Sequence, residues 1–581
     1  MTSNIILFIC AISIKIGVSI ESNNDWNLNI IHTNDMHSRF DEFKTPMSEC
    51  LPAHKESNQC YGGFARVATL VREARNASNS MLYLDAGDVF AGTPWFTEYK
   101  WKIASQFMNI LKPDVATLGN HEFDNGPGGL APYLKKSNFP IVVCNVDFSM
   151  EPELKDINIS KSIIFNINGH KVGVIGYLTP DTKYTTSTGK VTFSSEIECI
   201  QNEIKKLQNQ NVNIIIGLGH SGYDFDKKLA QEVEGLDLII GGHSHSFLYT
   251  GDVPDTDVPL GLYPTVIEQK ISKRKVYIVQ AYAFTKYLGN LSITFDADGE
   301  IKAIRGSPVL LDHKIPQAVD VVQALNELKS RIEAYSHKSV GYTRVLLDHS
   351  LQCRTKECNL GNLVTDAMIE DNLNNIQDND NGWTDAAVAV VGSGTIKSCI
   401  HKLLNETITM ADIKHVLPHA NKIYKYRISG KKLLEVLENS VALLQHGIEN
   451  DDPSGRFLHV SGIQVHYDLS KPIGSKVITD LLLIRCAECL VPKFEQWNID
   501  KNYTILINEF IATGGDGFTM LIDEKPLSIG ITLEECVANY IQQKKVVFPS
   551  VEGRIKFINP DELQFIDLDI ETVIQVIDDD Q

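Results

Sequence analysis

The sequence predicts an α/β protein of two layered domains joined by one helix, and three observations point to it. Short apolar runs alternate with amphipathic stretches from about Trp26 to Asp312. Gln317 to Ser336 then carries apolar residues at helical spacing without Gly or Pro, as a connecting helix would. A second series of alternating runs extends from about Val340 to Ile558. With 581 residues, 43% of them hydrophobic, the chain is long enough for two cores. The expected division is a leader at 1–22, a first domain at 26–313, a linker at 314–339, a second domain at 340–558 and an acidic tail at 559–581.

The leader has the form of a secretory signal peptide. Ile5 to Ile20 is mainly apolar and is followed at once by the polar Glu21-Ser22-Asn23-Asn24-Asp25. It is short for a bilayer span and interrupted by Lys15, while Gly17 and Ser19 suit cleavage. No second apolar segment of spanning length follows, and the C-terminus ends FIDLDIETVIQVIDDDQ, not in the apolar tail of a lipid-anchor signal. A secreted, extracellular product with no membrane span or lipid anchor is expected. Eleven cysteines, ten once Cys10 leaves, suit an oxidising compartment. Cys50/Cys60, Cys353/Cys358 and Cys486/Cys489 are close enough in sequence to close short loops. Cys486-x-x-Cys489 also reads as half of a zinc knuckle, but no second pair lies nearby. Connectivity among Cys144, Cys199, Cys399 and Cys536 stays open. Asn76, Asn158, Asn290, Asn405 and Asn502 are glycosylation acceptors by motif.

The net charge is −19, from 73 acidic and 54 basic residues. No long basic run offsets it, which argues against a nucleic-acid partner. An anionic ligand would need a locally positive site built from metals or arginines.

Five mainly apolar runs in the first half end alike. Leu28–Ile31 leads into His32-Thr33-Asn34-Asp35-Met36-His37, and Met81–Leu84 into Asp85-Ala86-Gly87-Asp88. Val115–Leu118 leads into Gly119-Asn120-His121-Glu122-Phe123-Asp124. Ile214–Leu218 leads into Gly219-His220, and Leu238–Ile240 into Gly241-Gly242-His243-Ser244-His245. Each reads as a buried strand, with Asn29 and Thr117 as polar interruptions. Ligands of layered α/β folds collect at the carboxyl ends of strands. Asp35, His37, Asp88, Asn120, His220, His243 and His245 would therefore share one edge. Any one of them alone would be an ordinary cap or loop residue. Five coincident clusters of oxygen and imidazole donors, without thiolate, instead suit zinc, manganese or iron in a hydrolytic site.

These blocks resemble the calcineurin-like metallophosphoesterase domain. The fuller strings IIHTNDMHSRF, LDAGD, TLGNHEFDNG, LGHSGY and GGHSHSFLYTG resemble its 5′-nucleotidase branch, which includes ecto-5′-nucleotidases and secreted apyrases. The likeness continues through AYAFTKYLGNLSITFDADG, CRTKECNLGNLVTDAM, GRFLHVSGIQVHYDL and IATGGDGFTM, and so covers nearly the whole mature chain. It implies a four-layer N-terminal sandwich, a linker helix and a C-terminal α/β nucleotide-binding domain. It also implies two divalent ions, zinc first, with manganese, calcium or cobalt as alternatives. One ion would be held by Asp35, His37, Asp88 and His245, the other by Asp88, Asn120, His220 and His243. His121 would serve the transferring phosphate or the leaving group, and Asp124 would orient it.

In the second domain the resemblance places Arg354 near phosphate and ribose, Phe510 against the base and Asp516 on the ribose hydroxyls. Three positions depart from the family. Its Asn-Gly-Gly-x-Ile-Arg loop reads Gly392-Ser393-Gly394-Thr395-Ile396-Lys397, and its Pro-Phe-Gly reads Pro418-His419-Ala420. Lys397 keeps the charge without Arg's two-pronged geometry, and His419 stacks with less apolar area than Phe. The implied function is release of phosphate from extracellular AMP, or from ADP and ATP. A broader phosphoesterase acting on UDP-sugars or cyclic nucleotides and a catalytically silent secreted binding protein are the alternatives. Some relatives dimerise, so a homodimer is among the expectations.

Overall fold

The computed structural model describes residues 25–44, 48–186, 188–336, 338–376, 382–402, 406–445 and 455–558. The leader, the acidic tail and Asn405 lie outside the described residues.

The first domain packs two sheets face to face. One is built on β1 (Trp26–Thr33), β2 (Met81–Asp85) and β3 (Val115–Ala116), which run parallel. The other includes β4 (Ser162–Ile167), β5 (His170–Leu178), β6 (Ile214–His220) and β7 (Leu238–Ile240), with β5, β6 and β7 parallel. Thr265–Glu268 (β8) and Lys275–Val279 (β9) complete the second sheet in the order β8-β9-β7-β6-β5-β4. Tyr287–Phe295 (β10) and Ile301–Gly306 (β11) extend the first as β11-β10-β1-β2-β3.

Period-two alternation divides the strand side chains between two cores. Leu28, Ile30, Leu82 and Leu84 enter the core between the sheets. Ile31 and Tyr83 point the other way, into a core shared with helices α1 (Phe64–Ala77), α2 (Trp101–Leu111) and α3 (Gly126–Lys136). Helices α4 (Glu196–Gln208) and α5 (Tyr223–Glu232) cover the second sheet through Ile200, Ile204, Leu207 and Leu229. The result is a helix–sheet–sheet–helix sandwich.

Strand bounds differ from the apolar runs in four of the five strands; β2 runs on to Asp85. β1 continues through His32 and Thr33, which find partners inside: His32 Nε2 meets Tyr263 Oη at 2.9 Å and Thr33 donates to Asp85 at 2.6 Å. β6 likewise runs on to His220, so that histidine ends a strand and does not sit in a loop. β3, read from the sequence as four residues, is only two residues long.

The helix α6 (Val319–Ser336) buries Val321, Leu325 and Ile332 in the helical core of the first domain, so it is packed and not a free spacer. The second domain has a central sheet of Val388–Gly392 (β12), Lys422–Ser429 (β13), Leu458–Ser461 (β14), Asn502–Asn508 (β15) and Ser528–Thr532 (β16), ordered β14-β12-β15-β13-β16. Helices α7 (Asn359–Asn375) and α8 (Leu533–Lys544) cover one face. Cystine bridges join Cys50–Cys60, Cys353–Cys358 and Cys486–Cys489, as the spacing suggested, and also Cys144–Cys199. Cys399 and Cys536 are thiols. Among the described residues no helix is long and apolar enough to cross a membrane.

Tight packing between β5 and β6 gives a direct test. A Cβ at Gly219 would lie 1.8 Å from the ring of the fully buried Tyr177. Gly219→Ala should cost about 1–3 kcal/mol through overpacking and lower the first thermal transition by at least about 3 °C in calorimetry. An unchanged transition would mean that the strands are not so closely packed.

Candidate metal centre

Five strand ends from two sheets meet at one edge. Asp35 and His37 follow β1, Asp88 follows β2, Asn120 and His121 follow β3, His220 ends β6, and His243 and His245 follow β7. All seven sequence-predicted donors come together. His220 Nε2 lies 3.0 Å from Asp88 Oδ2 and 3.7 Å from Asp35 Oδ1. His245 Nε2 lies 3.5 Å from Asp35 Oδ1 and 3.0 Å from His37 Nε2. His37 Nε2 is 3.8 Å from Asp88 Oδ2, and His243 Nδ1 is 2.9 Å from Asn120 Oδ1. The compact donor sets here include Asp35/His37/His245 and Asp88/His220/His243, with His37/Asp88/His121 overlapping both.

The backbone is strained to achieve this. Asp35, His37, Asp88, His243 and His245 all have positive φ, between 45° and 77°. Non-glycine residues enter this left-handed region at a cost of about 1–2 kcal/mol each, and such outliers concentrate at functional sites. The left-handed turns thus fall on the donor residues themselves as well as on the neighbouring Gly87, at φ 88°. Gly119 instead makes room for a donor, since a Cβ there would lie 2.1 Å from Asp88 Oδ1.

What holds the strained turns is a second layer of polar residues that the strand-end motifs do not mark. The buried Glu122 carboxylate accepts four backbone N–H bonds, from Asp88 (2.9 Å), Val89 (2.8 Å), Phe90 (3.1 Å) and Gly119 (2.6 Å). It ties the loop after β2 to the loop after β3. Asn34 donates to Asp35 at 2.7 Å and to the Tyr282 carbonyl at 2.7 Å. Gln280 donates to Gly242 O at 3.1 Å and accepts from Ser246 N at 3.0 Å. A signal for Glu122 was available in its place within the Gly-Asn-His-Glu block, because a carboxylate buried there has to be fed by donors.

The electrostatics call for cations. Asp35 and His220 are fully buried and Asp88 nearly so. Burial pushes the Asp35 carboxyl up to about 7. Burial alone would raise Asp88 too, but the charges of His220 and His121 outweigh it and hold it well below the usual range. For His220 burial is opposed by Asp88 and Asp35, which lift the imidazole to about 10. A proton is here the smallest cation that answers the carboxylates, and a metal ion displaces such protons when it binds.

The donor chemistry fits divalent ions. His220 Nδ1 pairs with Ala86 O at 2.7 Å, which directs Nε2 towards the two carboxylates, 3.0 Å from Asp88 Oδ2. His37 Nδ1 is similarly taken by Phe90 O at 3.3 Å. Imidazoles anchored through one nitrogen and offering the other are the usual form of metal-ligating histidines.

Beside the cluster, His121 Nδ1 meets Asp124 Oδ2 at 2.8 Å, and His121 N donates to Asp88 Oδ1 at 2.8 Å. Burial would lower His121, but Asp124 and Asp88 more than compensate and raise it above an ordinary histidine. The second domain closes over this corner. Arg39 Nη1 lies 3.3 Å from His415 Nδ1, and Thr97 donates to Pro418 O at 3.2 Å. Lys397 lies in the fields of Asp124, Arg354, Asp516 and Asp88, while Arg354 is felt at His245. His419 Nδ1 is 3.7 Å from Asp124 Oδ2.

Gly394 N donates to Gly455 O at 2.9 Å, and a Cβ on Gly394 would lie 2.8 Å from Gly455 Cα. Asp516 has φ 51°, and burial pushes its carboxyl up to about 6. Phe510 packs against Gly515 on the rim of the second core. Arg354, Lys397, His419 and Asp516 thus lie within one electrostatic neighbourhood, and a Cβ on Gly455 would lie 3.2 Å from Asp516 Oδ2. For Phe510 the structure gives contacts only with its own domain.

Comparison with known proteins agrees with this geometry. The family model described as calcineurin-like phosphoesterase matches residues 28–247, and the 5′-nucleotidase C-terminal domain matches 339–523. The chain is 42% identical to "Protein 5NUC" of Lutzomyia longipalpis over 561 residues, 94% of this chain and 96% of that one. It is 40% identical to the 5′-nucleotidase of Bos taurus over 538 residues, 92% of this chain and 91% of that one. It is also 40% identical to the snake venom 5′-nucleotidase of Crotalus adamanteus over 557 residues, 95% of this chain and 91% of that one. A 5′-nucleotidase precursor from Thermus thermophilus superposes with a TM-score of 0.81 at 33% identity, covering 92% of this chain and 99% of that one.

If Glu122 organises the donor loops, Glu122→Gln should weaken divalent-metal binding about 10- to 100-fold, read by titration calorimetry on metal-stripped protein. Metal affinity equal to wild type would remove Glu122 from the framework of the site.

Proposed function

The chain belongs to the 5′-nucleotidase family, whose members pair a metallophosphoesterase domain with the 5′-nucleotidase C-terminal domain, and on that premise we propose a secreted enzyme that frees phosphate from nucleoside 5′-monophosphates. That it is a metal-dependent nucleotide phosphohydrolase follows from the family. The monophosphate, the location, the metal and the residue roles are the proposal. The observation that carries it is the convergence of seven oxygen and imidazole donors around the buried Asp88, with Lys397 and Arg354 facing them from the second domain.

Zinc suits the donor set best, since imidazole and carboxylate without thiolate and without many carbonyl oxygens is its hydrolytic pattern. Asp35, His37, Asp88 and His245 would hold one ion; Asp88, Asn120, His220 and His243 would hold the second, with Asp88 shared. When bound, two such cations neutralise charge on phosphoryl oxygens and make water acidic enough to react near neutral pH.

The chain's own groups do the rest. His121 commits Nδ1 to Asp124, and in the charged form that Asp124 and Asp88 favour its Nε2 carries a proton to stabilise phosphoryl charge or give to the leaving oxygen. Asp124, itself held below the usual carboxylate range by His121 against the effect of burial, fixes the tautomer and sustains the charged form of that imidazole. Lys397 and Arg354 supply the local positive charge that an anionic substrate needs in a chain of net charge −19. Asp516 in its left-handed turn is suited to accept ribose hydroxyls, and Phe510 to cover one face of the base. Four cystines among the described residues support an oxidising, extracellular setting.

Purified protein should release phosphate from AMP, with lower rates on ADP and ATP, and lose activity to a chelator. Faster release from ADP or ATP would replace the monophosphate reading by an apyrase one. No release from any of the three with zinc, manganese, calcium or cobalt supplied would overturn the enzyme reading. His121→Ala should lower kcat by about 10²–10⁴-fold with KM changed far less.

A further inference from the structure

His419 stands where the family pattern has a phenylalanine. Its position here gives it a role that stacking does not require. Its Nδ1 lies 3.7 Å from Asp124 Oδ2, the same oxygen that His121 Nδ1 meets at 2.8 Å. The two imidazoles are nearly parallel, at 10° with centroids 6.4 Å apart, so one carboxylate oxygen is faced by two rings from two domains. The His419 side chain is only 21% exposed, and the charged groups around it are Asp124, Lys397, His121 and Lys100. The loop that carries it is tied down: Pro418 O accepts the Thr97 hydroxyl of the first domain at 3.2 Å. Ala420 holds φ 50° where the family pattern has glycine, so the turn keeps its left-handed shape at a steric cost.

We propose that His419 is a positioning residue, which on closure of the two domains engages Asp124 and so makes the His121–Asp124 pair a three-membered His121–Asp124–His419 array. This rests on the phosphohydrolase reading of the metal edge. A carboxylate with one imidazole partner can pivot about its χ angles. A second imidazole nitrogen, 3.7 Å from the same oxygen here and drawn in to hydrogen-bond distance on closure, restrains that pivot, and His121 Nε2 is then held on target only while the second domain is in place. A phenylalanine offers more stacking area to a base but nothing to Asp124. The departure from the family pattern therefore exchanges base stacking for a link between domain closure and the acid.

A double-mutant cycle tests this on AMP, or on whichever of AMP, ADP and ATP the wild type hydrolyses. His419→Phe should lower kcat about 5- to 10-fold without raising KM, and Asp124→Asn about 30-fold or more. The double variant should fall no more than about threefold below Asp124→Asn, because both changes break one array. His419→Asn, which keeps an N–H near the Nδ1 position, should retain kcat within about threefold of wild type. If His419→Phe does not fold, His419→Ala takes its place in the same cycle. Losses that multiply, or a His419→Phe enzyme with unchanged kcat, would overturn the proposal and leave His419 a stacking residue. A wild type that hydrolyses none of the three would overturn the phosphohydrolase reading instead.

Discussion

Buried carboxylates and imidazoles within 4 Å of each other around Asp88 are the constraint on which the rest of the first domain depends. Charges taken out of water are costly unless paired, and here burial keeps two of the neighbouring imidazoles, His37 and His245, neutral. The protein supports that arrangement by tolerating backbone strain at five of its donor residues and by devoting a whole buried side chain, Glu122, to four amide hydrogens. A site with so much strain and desolvation is intelligible only if bound cations offset them. The two-sheet sandwich is the means: neither sheet alone presents both sets of donors, and packing them face to face aligns β1, β2 and β3 with β6 and β7 at one edge.

The second domain adds what the metal edge lacks. Asp88, Asp35 and Asp124 gather carboxylates in the first domain, while Lys397 and Arg354 bring positive charge from the second. Lys397 carries a point charge where the family pattern has a fork-shaped guanidinium, so in the proposed reaction orientation of the phosphate would fall more heavily on the metal edge and on His121. The contacts Thr97–Pro418, Arg39–His415 and Asp124–His419 all join the two domains on this side of the molecule. Closure and chemistry thus share residues, which suits an enzyme that must both admit and enclose a nucleotide.

Much of this was legible in the sequence because strand ends have a simple signature. Apolar runs of strand length ending in Asp-x-His, Gly-Asp, Gly-Asn-His, Gly-His and Gly-His-x-His mark both the fold and the donor set, and all seven donors meet. The three short-loop cystines were legible for the same local reason. Less local features were not. Cys144–Cys199 spans 55 residues and depends on tertiary packing. Glu122 looked like one more polar residue of a motif, since its function is visible only when the loops after β2 and β3 lie side by side. His419 read as a weaker stacking residue because sequence gives no sign that Asp124 lies across the domain boundary. The polar ends of β1 and β6 escaped the apolar-run criterion because one nitrogen of each ring finds a buried partner, Tyr263 for His32 and Ala86 for His220.

The proposed metal centre depends above all on Asp88 being shared by two ions. The direct measurement is metal content per chain, by plasma mass spectrometry after exhaustive dialysis, for wild type and for Asp88→Asn of verified fold. Two divalent ions per wild-type chain, falling below one in Asp88→Asn, is the expected result. One ion or none in the wild type, or two ions retained by Asp88→Asn, would contradict it.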